Sequence, residues 1–207
     1  MTHNALQIIR DEHAALAAVL RSLGMMLERG PLDEPERFFG VVRAMLFYID
    51  EFPERLHHPK ESDLLFPKIA RVAPELMPVI GRLESDHMLG EGRVRFLQHL
   101  LLAWELIGES RRDVFMDAAR EYLAFYLEHM RIEETQILPA AEKLLAPADW
   151  ETLDEAFLAS RDPLAGGLRE PCYDRLFTRI VMTAPAPIGV GPIGIGLAGA
   201  DAQASIG

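Results

Sequence analysis

Six residues of this chain have the side chains and the spacing that a pair of metal ions requires. They are His13, His57, Glu61, His87, His129 and Glu133. Residues four apart lie on one face of a helix, with Cβ atoms about 5–6 Å apart. Each His-x-x-x-Glu pair, His57 with Glu61 and His129 with Glu133, can therefore present one nitrogen and one carboxylate to a common point. With the two other histidines as facing ligands, the pattern predicts a two-metal site inside a helical bundle.

This order of residues occurs twice along the chain. The single histidine recurs after 74 positions, and both members of the His-x-x-x-Glu pair recur after 72. The sequence after each pair also matches, which gives H-x3-E-x3-[LI]-[FL]-P twice, and an acid, Glu12 or Asp86, precedes each single histidine. Such a repeat is stronger evidence than one motif, because histidines placed at random in a core would not keep a constant offset.

The paired motifs resemble those of the hemerythrin-like HHE cation-binding family, in particular its members with the ligand order H…HxxxE…H…HxxxE. The resemblance covers roughly residues 3–145. It implies an all-α fold, an antiparallel up-down-up-down four-helix bundle with the architecture of myohemerythrin, that holds a non-haem di-iron centre. On this resemblance the cofactor is two iron ions, with the six residues named above as their ligands.

The ligand types narrow the choice of metal. Imidazole together with carboxylate suits iron, manganese and zinc, whereas an all-oxygen set would indicate magnesium or calcium. Two carboxylates can bridge two cations while four imidazoles occupy the terminal positions. Burying both carboxylates beside four imidazoles without metal would cost on the order of several kcal/mol. Metal binding is therefore favoured over plain core histidines, with manganese or zinc open beside iron.

Apolar residues recur every three to four positions in four long stretches, which predicts four amphipathic helices. The predicted helices run from about residue 3 to 29, from Asp33 through Leu65, from Pro78 to Gly108, and from Ser110 to Leu144. Asp33 with Glu36 is typical of an N-cap and its capping partner, and Pro53 and Pro59 are expected to kink the second helix. Short connections favour antiparallel neighbours around a shared core.

The chain is predicted to have three parts: the bundle at residues 1–145, a C-terminal helical extension at 146–183, and a Gly/Ala/Pro tail at 184–207. Short helices are expected near residues 149–160 and 173–182. The tail has no helical periodicity and almost no charge, so we expect it to be disordered or laid over the surface. Its glycines and prolines argue against a membrane span.

The composition restricts the partners and the compartment. A net charge of −11 and a pI near 5.1 argue against nucleic acid or an anionic membrane as the partner, and suit a protein that attracts cations. Cys172 is the only cysteine, so an intramolecular disulfide is excluded, and we interpret it as an incidental thiol. The N-terminus lacks the basic and then apolar run of a signal peptide, so the expected location is the cytoplasm.

Three further histidines lie outside the repeated pattern. His58 points about 100° around a helix from His57, which predicts a surface position or a supporting contact rather than a ligand. His3 and His99 are expected to be exposed.

Four other side chains could support the site without binding metal. Tyr48 and Tyr126 could donate a hydrogen bond to a bound oxygen species, although packing is the commoner role of an aromatic on a bundle face. Glu12 and Asp86 could anchor a ligand ring, although an acid beside a helical histidine points to a different face and is more often a solvated charge.

Glu91 follows His87 by four positions and so makes a third pair with the same spacing. It is either an extra ligand or local base, or a bystander. In the oxygen-carrying hemerythrins the third helix presents a second histidine at that spacing, and the fourth-helix carboxylate follows its histidine by five residues. This chain departs on both counts, which argues against reversible oxygen transport.

The sequence thus predicts a dimetal protein that binds or reacts with a small ligand such as O2, NO or peroxide, in sensing or in the response to oxidative or nitrosative stress. A binding role and a redox-enzyme role both fit, so no catalytic residue is assigned. The alternative is iron handling, or a metal-gated interaction module whose C-terminal helix or tail contacts a partner. In a purely structural version, the metal only clamps the helices together.

Overall fold

The computed structural model describes residues 3–191, and every regular element in that range is helical. The α-helices are α1 (Asn4–Arg29), α2 (Pro35–Ile49), α3 (His58–Lys60), α4 (Phe66–Val72), α5 (Met77–Ile107), α6 (Arg112–Ile132), α7 (Leu138–Leu144), α8 (Pro147–Ala159) and α9 (Asp174–Thr183). Three π-helical segments continue them at Asp50–His57, Glu61–Leu65 and Glu133–Ile137. Short 3-10 turns occur at Pro74–Leu76, Glu109–Arg111, Pro163–Ala165 and Pro171–Tyr173. Within the described range, no helix combines the length and apolarity needed to cross a membrane.

The ends of the long helices follow the local sequence in most places. α1 and α5 end where predicted, at Gly30 and Gly108, whose φ values of 72° and 103° favour glycine. The predicted capping box at Asp33 is wrong. α2 instead begins at Pro35, and Glu34 at its N-cap makes no side-chain cap hydrogen bond, because proline suits the first helical turn without a cap.

The π-helical segments explain how the second and fourth long helices accommodate their prolines. The hydrogen bonds that span five residues run from His58 N–H to Pro53 O, from Phe66 N–H to Glu61 O, and from Leu138 N–H to Glu133 O. In each case the residue after the donor is a proline, which has no N–H to continue the α-helical pattern. The kink predicted at Pro53 and Pro59 is therefore a local widening of the helix, a feature often found at functional sites.

Two hydrophobic clusters form the core, and every long helix contributes to both. The first cluster takes Leu16–Leu27 of α1, Phe38–Ile49 of α2, Val94–Trp104 of α5 and Phe115–Met130 of α6. The second takes Ala5–Ile9 of α1, Phe66–Ile69 of α4, Ile80–Leu83 of α5 and Leu138–Ala141 of α7. The six predicted ligands lie at the level where one cluster gives way to the other.

The C-terminal extension packs on the bundle. α8 packs against α1, and its Trp150, Leu153 and Phe157 join the second cluster. α9 packs against α2, and its Phe177 and Ile180 join the first. These five side chains are therefore buried within this chain, whereas Leu158 of α8 and Met182 of α9 are exposed.

Residues 184–191 lie over the bundle, which is the second of the two arrangements expected for the tail from Ala184 onward. Ala184 is fully buried, Ser22 of α1 donates a hydrogen bond to the Pro185 carbonyl at 2.9 Å, and the Ile188 N–H donates to Ser22 Oγ at 3.2 Å. The composition gave no sign of this contact because its anchor is a buried serine on another helix. The remainder of the predicted tail, residues 192–207, lies outside the described residues.

We predict that Ser22→Ala will lower the free energy of unfolding by about 1–3 kcal/mol, because it leaves buried backbone groups of residues 185–188 without a partner. Chemical denaturation would measure the change. Ser110→Ala, at an exposed position, is the matched control and should stay within about 0.5 kcal/mol of the parent. Equal stability of the two variants would show that the contact with Ser22 does not hold this segment.

Candidate metal centre

The structure brings all six predicted ligands to one point between the two core clusters. The Nε2 atoms of His87 and His129 lie 3.1 Å apart. Between imidazoles and carboxylates, the short distances are His57 Nε2 to Glu61 Oε1 at 3.2 Å, His129 Nε2 to Glu133 Oε1 at 3.3 Å, His13 Nε2 to Glu133 Oε2 at 3.3 Å and His87 Nε2 to Glu61 Oε2 at 3.6 Å. Each carboxylate thus lies near one imidazole from its own helix and near those of His13 and His87 from two others. Five of the six residues are buried, and His87 exposes only 7% of its side chain.

The two carboxylates at the centre are buried without hydrogen bonds. Both oxygens of Glu61, both oxygens of Glu133 and Nε2 of His57 are buried atoms that make none. Their neighbours are imidazole nitrogens at 3.2 to 3.9 Å, farther away or less well aligned than hydrogen bonding requires. Buried carboxylates without partners are costly, so this donor set fits divalent cations held between oxygen and nitrogen.

The electrostatics of the cluster show how strongly these groups depend on positive charge. Burial alone would raise the pKa of Glu61 and Glu133, but the neighbouring imidazoles lower both. Burial alone would lower the pKa of His13 and His57, but the facing carboxylates raise them to about 9 and about 10. Without metal the cluster therefore holds protons, and a metal ion would displace them.

Each of the four histidines is oriented by a hydrogen bond to its other ring nitrogen. The Nδ1 partners are Glu134 for His13 at 3.2 Å, Glu12 for His57 at 2.6 Å, Ser62 for His87 at 2.9 Å and Asp86 for His129 at 3.5 Å. All four partners lie on a different helix from the ring that they orient. Partners of this kind fix the ring and direct Nε2 toward the cluster, where the Nε2 atoms of His87 and His129 contact each other at 3.1 Å.

These partners extend the internal repeat of the sequence. Glu12 and Asp86 do anchor ligand rings, but each anchors a histidine of another helix and not the one beside it in sequence. Glu134 and Ser62 were missed. Both directly follow a predicted glutamate ligand, so their shared position in the two halves was the available signal.

The segment after α8 reaches into this layer of supporting contacts. The backbone N–H of Asp162 donates to Glu12 Oε1 at 2.8 Å, while Lys60 Nζ donates to the Ser160 carbonyl at 2.8 Å and lies 3.7 Å from Glu12. The Tyr48 hydroxyl donates a hydrogen bond to the Asp162 carboxylate. This hydroxyl therefore does not point to the metal-ligand cluster. Residues of the C-terminal extension thus fix the carboxylate that orients His57.

A second buried network surrounds Glu54. Its carboxylate accepts hydrogen bonds from Tyr126 and from Tyr122, and contacts His58 Nδ1 at 3.0 Å. Burial raises the pKa of Glu54 to about 7 against the opposing effect of these contacts. Tyr126 packs near His129 but gives its hydroxyl to Glu54, and the predicted surface position of His58 is wrong because that residue is buried.

The remaining candidates lie away from the cluster. Glu91 is 48% exposed and pairs with Arg95, so it takes no part. His99 is exposed as predicted. His3 is half-buried because its ring stacks on Trp150 at 4.1 Å, so the prediction of an exposed side chain is wrong for this residue.

A narrow cavity adjoins the cluster beside His13, His57 and His58. Apolar side chains such as Leu16, Phe52 and Met130 form part of its lining, together with ionisable groups. A volume of about 10 Å³ corresponds to a single water site. Only a very small ligand could approach the cluster from this side without movement of the surrounding side chains.

Comparison with known families places most of the chain in one of them. Residues 4–141 match the family model of the hemerythrin HHE cation binding domain. No curated protein matches the chain significantly. The matched range ends before α8, so Ser160 and Asp162, which contact the site, lie beyond it.

We predict that the backbone N–H of residue 162 strengthens metal binding. Asp162 has φ −60°, which proline can adopt, so Asp162→Pro removes this N–H together with the carboxylate. Asp162→Ala removes the carboxylate alone and is the matched control. Loss of such an outer contact typically lowers metal affinity about 10-fold or more, and we expect the proline variant to bind Co²⁺ about 10-fold more weakly than the alanine variant. Titration against a chromophoric chelator would measure this, and equal affinities would contradict it.

We also predict that the metal-free protein loses stability as the pH rises. Because the folded-state pKa values of His13 and His57, about 9 and about 10, exceed the ordinary value of 6.5, their stabilising contribution is complete below pH 6.5 and disappears as the pH rises through 9 and 10. Thermal melts of chelator-treated protein between pH 6 and about 10 would measure the trend. Metal-loaded protein is the control and should lose less over the same range. A melting temperature of the metal-free protein that does not fall would refute the charge pairing.

Proposed function

The chain belongs to the hemerythrin HHE cation-binding family, and we propose that it holds two iron ions at the cluster and uses them to bind or react with a small ligand such as O2, NO or peroxide. The observation that carries the proposal is the set of four buried carboxylate oxygens that make no hydrogen bond. They face imidazole nitrogens that already have hydrogen-bonded partners on their outer side.

The number of ions is argued from the grouping of ligand atoms. One group consists of His13, His57 and Glu61, and another of Glu61, His87, His129 and Glu133, with the ligand atoms of each group within 4.8 Å of one another. Glu61 is common to both groups, and His13 also contacts Glu133. This sharing supports two ions that Glu61 and Glu133 would hold together with the four histidines, with iron preferred and manganese or zinc as the other candidates for this ligand type.

We further propose the antiparallel up-down-up-down arrangement for the four long helices. α1 and α5 run from the second core cluster to the first, whereas the helices that begin with α2 and α6 run from the first to the second. The alternation supports antiparallel neighbours, with every ligand at the level between the clusters. The division at residue 145 and a cytoplasmic location stay predictions.

The protein's part in the chemistry is to hold the ligands and to exclude water. When bound, the iron ions would supply one-electron redox chemistry and coordination positions for the small ligand. Glu12, Asp86, Ser62 and Glu134 orient the imidazoles, and the apolar side chains of Leu16, Phe52 and Met130 keep the approach narrow. Sensing and a role in oxidative or nitrosative stress are the uses that fit such an enclosed centre.

The alternative is iron handling or a metal-gated interaction module without catalysis. The extension helix α9 is a poor surface for a partner because Phe177 and Ile180 are buried in this chain. Exposed apolar side chains are more numerous on α5, where Met88, Phe96 and Leu106 are exposed by 79, 55 and 74%, than on α9, where Met182 is exposed by 59%. A module of this kind would therefore contact its partner through α5.

Measurement of catalytic turnover distinguishes a redox enzyme from a ligand sensor or an iron-handling protein. Iron-loaded protein that consumes many equivalents of peroxide per chain would support an enzyme, and reaction of one equivalent per centre would support a sensor or a carrier of iron. Reversible spectral changes on exposure to NO or O2 without consumption would support ligand binding.

The metal content of the protein tests the site itself. Protein purified without added metal or chelating tags should contain two transition-metal ions per chain by elemental analysis, and His129→Ala should contain one or none and melt at lower temperature because Glu133 loses its facing group. His99→Ala, an exposed histidine outside the cluster, is the control and should keep full metal content. Wild-type protein that folds normally and binds no transition metal would reject the proposal.

A further inference from the structure

α5 has apolar side chains on two opposite sides, and we infer that its outer side is the contact surface for α5 of a second copy of this chain, in an antiparallel pair. The inner side belongs to the core through buried residues such as Val94, Leu97, Leu101 and Trp104. A helix that packs on one side only is polar on the opposite side, whereas a helix that is apolar all round is packed all round. The inference does not depend on the proposed function.

The outer side of α5 has the spacing of a helix that packs along another helix. Six residues recur there at alternating steps of three and four positions, and we call them the outer row: Leu89, Gly92, Phe96, His99, Ala103 and Leu106. Five of the six are exposed, and Ala103 is half-buried. Alternation of three and four is the heptad spacing by which paired helices meet. In the described part of the chain the row faces solvent, so the helix that it fits comes from another molecule.

The apolar area on this side is that of a dimer interface. Beside the outer row lie four more apolar residues, Met88, Leu102, Ile107 and, at the start of α6, Val114. These four and the three large apolar residues of the row are each exposed by 46 to 79%. With a full surface on the order of 200 Å² for a large apolar residue, the seven expose roughly 800 Å². A stable interface takes about 800 Å² from each partner, whereas the largest apolar patch of a typical monomer is about 300–600 Å².

Gly92, in the middle of the row, has no role that this chain alone explains. Glycine destabilises the interior of a helix relative to alanine, and Gly92 does not have the positive φ that would require it. A Cβ at this position would meet no described atom within 4 Å, whereas a Cβ at Gly90 would lie 2.7 Å from Glu54 Oε1. The space at Gly92 is therefore left for something outside this chain. Close approach of another backbone is a common reason for a glycine.

An antiparallel pair related by a twofold axis matches the outer row with itself. With the axis between Leu97 and Gln98, three kinds of layer form across the two copies: Leu89 with Leu106, Gly92 with Ala103, and Phe96 with His99. Large residues then meet large ones, and the small residues meet where the helices must come closest. Because each copy uses the same surface, the contact closes with two chains and goes no further.

The charges at the ends of the row favour the antiparallel direction. Arg82 precedes the row and is 54% exposed, and Asp113 follows it at the start of α6 and is exposed as well. An antiparallel pair brings each Arg82 toward Asp113 of the second copy, whereas a parallel pair would oppose like charges. The contacts of Arg82 in its own chain, 3.9 Å to Asp86 and 3.8 Å to Glu128, are longer than hydrogen bonds. Complementary charges at the rim of an interface give it specificity.

Sedimentation equilibrium of the full chain tests the contact. With a thiol reductant present, which keeps the exposed Cys172 from linking copies, wild-type protein should have twice its chain mass of 23.2 kDa. Gly92→Leu should fold, because the new side chain has open space in its own chain, and should dimerise about 10-fold more weakly or worse through overpacking. Phe96→Lys should do the same. Leu158→Lys is the matched control, since Leu158 on α8 is 52% exposed against 55% for Phe96, and it should stay dimeric.

Cysteine pairs test the direction. In a Cys172→Ser background, the double variant Gly92→Cys with Ala103→Cys should form disulfide-linked dimers on mild oxidation, because these positions face each other in the antiparallel pair. Gly92→Cys alone should not, since the two copies of residue 92 then lie about 16 Å apart along the helices, too far for a disulfide.

Every outcome of these measurements decides the inference. Wild-type protein that keeps its chain mass up to about 1 mM would overturn it, and a partner of a different kind would then have to be sought for this side of α5. A dimer that survives both Gly92→Leu and Phe96→Lys would place the contact elsewhere and overturn it too. Linkage by Gly92→Cys alone would overturn the antiparallel arrangement. Metal content enters none of these results, so they leave the proposed function untouched.

Discussion

The constraint on which this structure depends is the burial of two carboxylates, Glu61 and Glu133, without hydrogen bonds of their own. A buried anion is tolerated only beside compensating positive charge. Here the imidazoles of His13 and His57, whose pKa values the neighbouring carboxylates raise, can supply it as protonated groups, and all four rings can instead orient toward cations that supply it. The fold can keep these two glutamates at its centre only if four helices deliver a ring to the same level, which explains why every long helix interrupts its apolar stripe at that level.

The support of the rings shows how the helices meet this constraint. Each ring that points inward is held on its outer nitrogen by a group from another helix, so every pair of ligand and support is also a contact between helices. The helices are therefore linked by two sets of contacts. One set joins the Nε2 atoms to Glu61 and Glu133, and the other joins the Nδ1 atoms to their hydrogen-bond partners. The π-helical segments contribute because Glu61 and Glu133 each begin one. The proline after each segment has no N–H to donate, and regular α-helix resumes there as α4 and α7.

The sequence predicted most of the centre because spacing within a helix is local information. His57 with Glu61 and His129 with Glu133 could be paired from helical periodicity alone, and the repeat added His13 and His87. His58 was expected at the surface or in a supporting contact, and its burial excludes only the surface position. Asp162 could not be found, because it is 150 residues from the Glu12 that it contacts, and its contribution is a backbone N–H that any residue except proline supplies.

The two halves of the centre have the same ligand pattern but different supporting contacts. His57 has a short contact to Glu12, at 2.6 Å, and Glu12 is itself held by Asp162 and Lys60. The corresponding ring, His129, has a longer contact of 3.5 Å to Asp86, whose cationic neighbour Arg82 is 54% exposed. The C-terminal extension reinforces one half of the centre only, and that half borders on the cavity. Two halves with the same ligand pattern thus acquire different rigidity and different access, because the groups that support them come from parts of the chain that do not repeat.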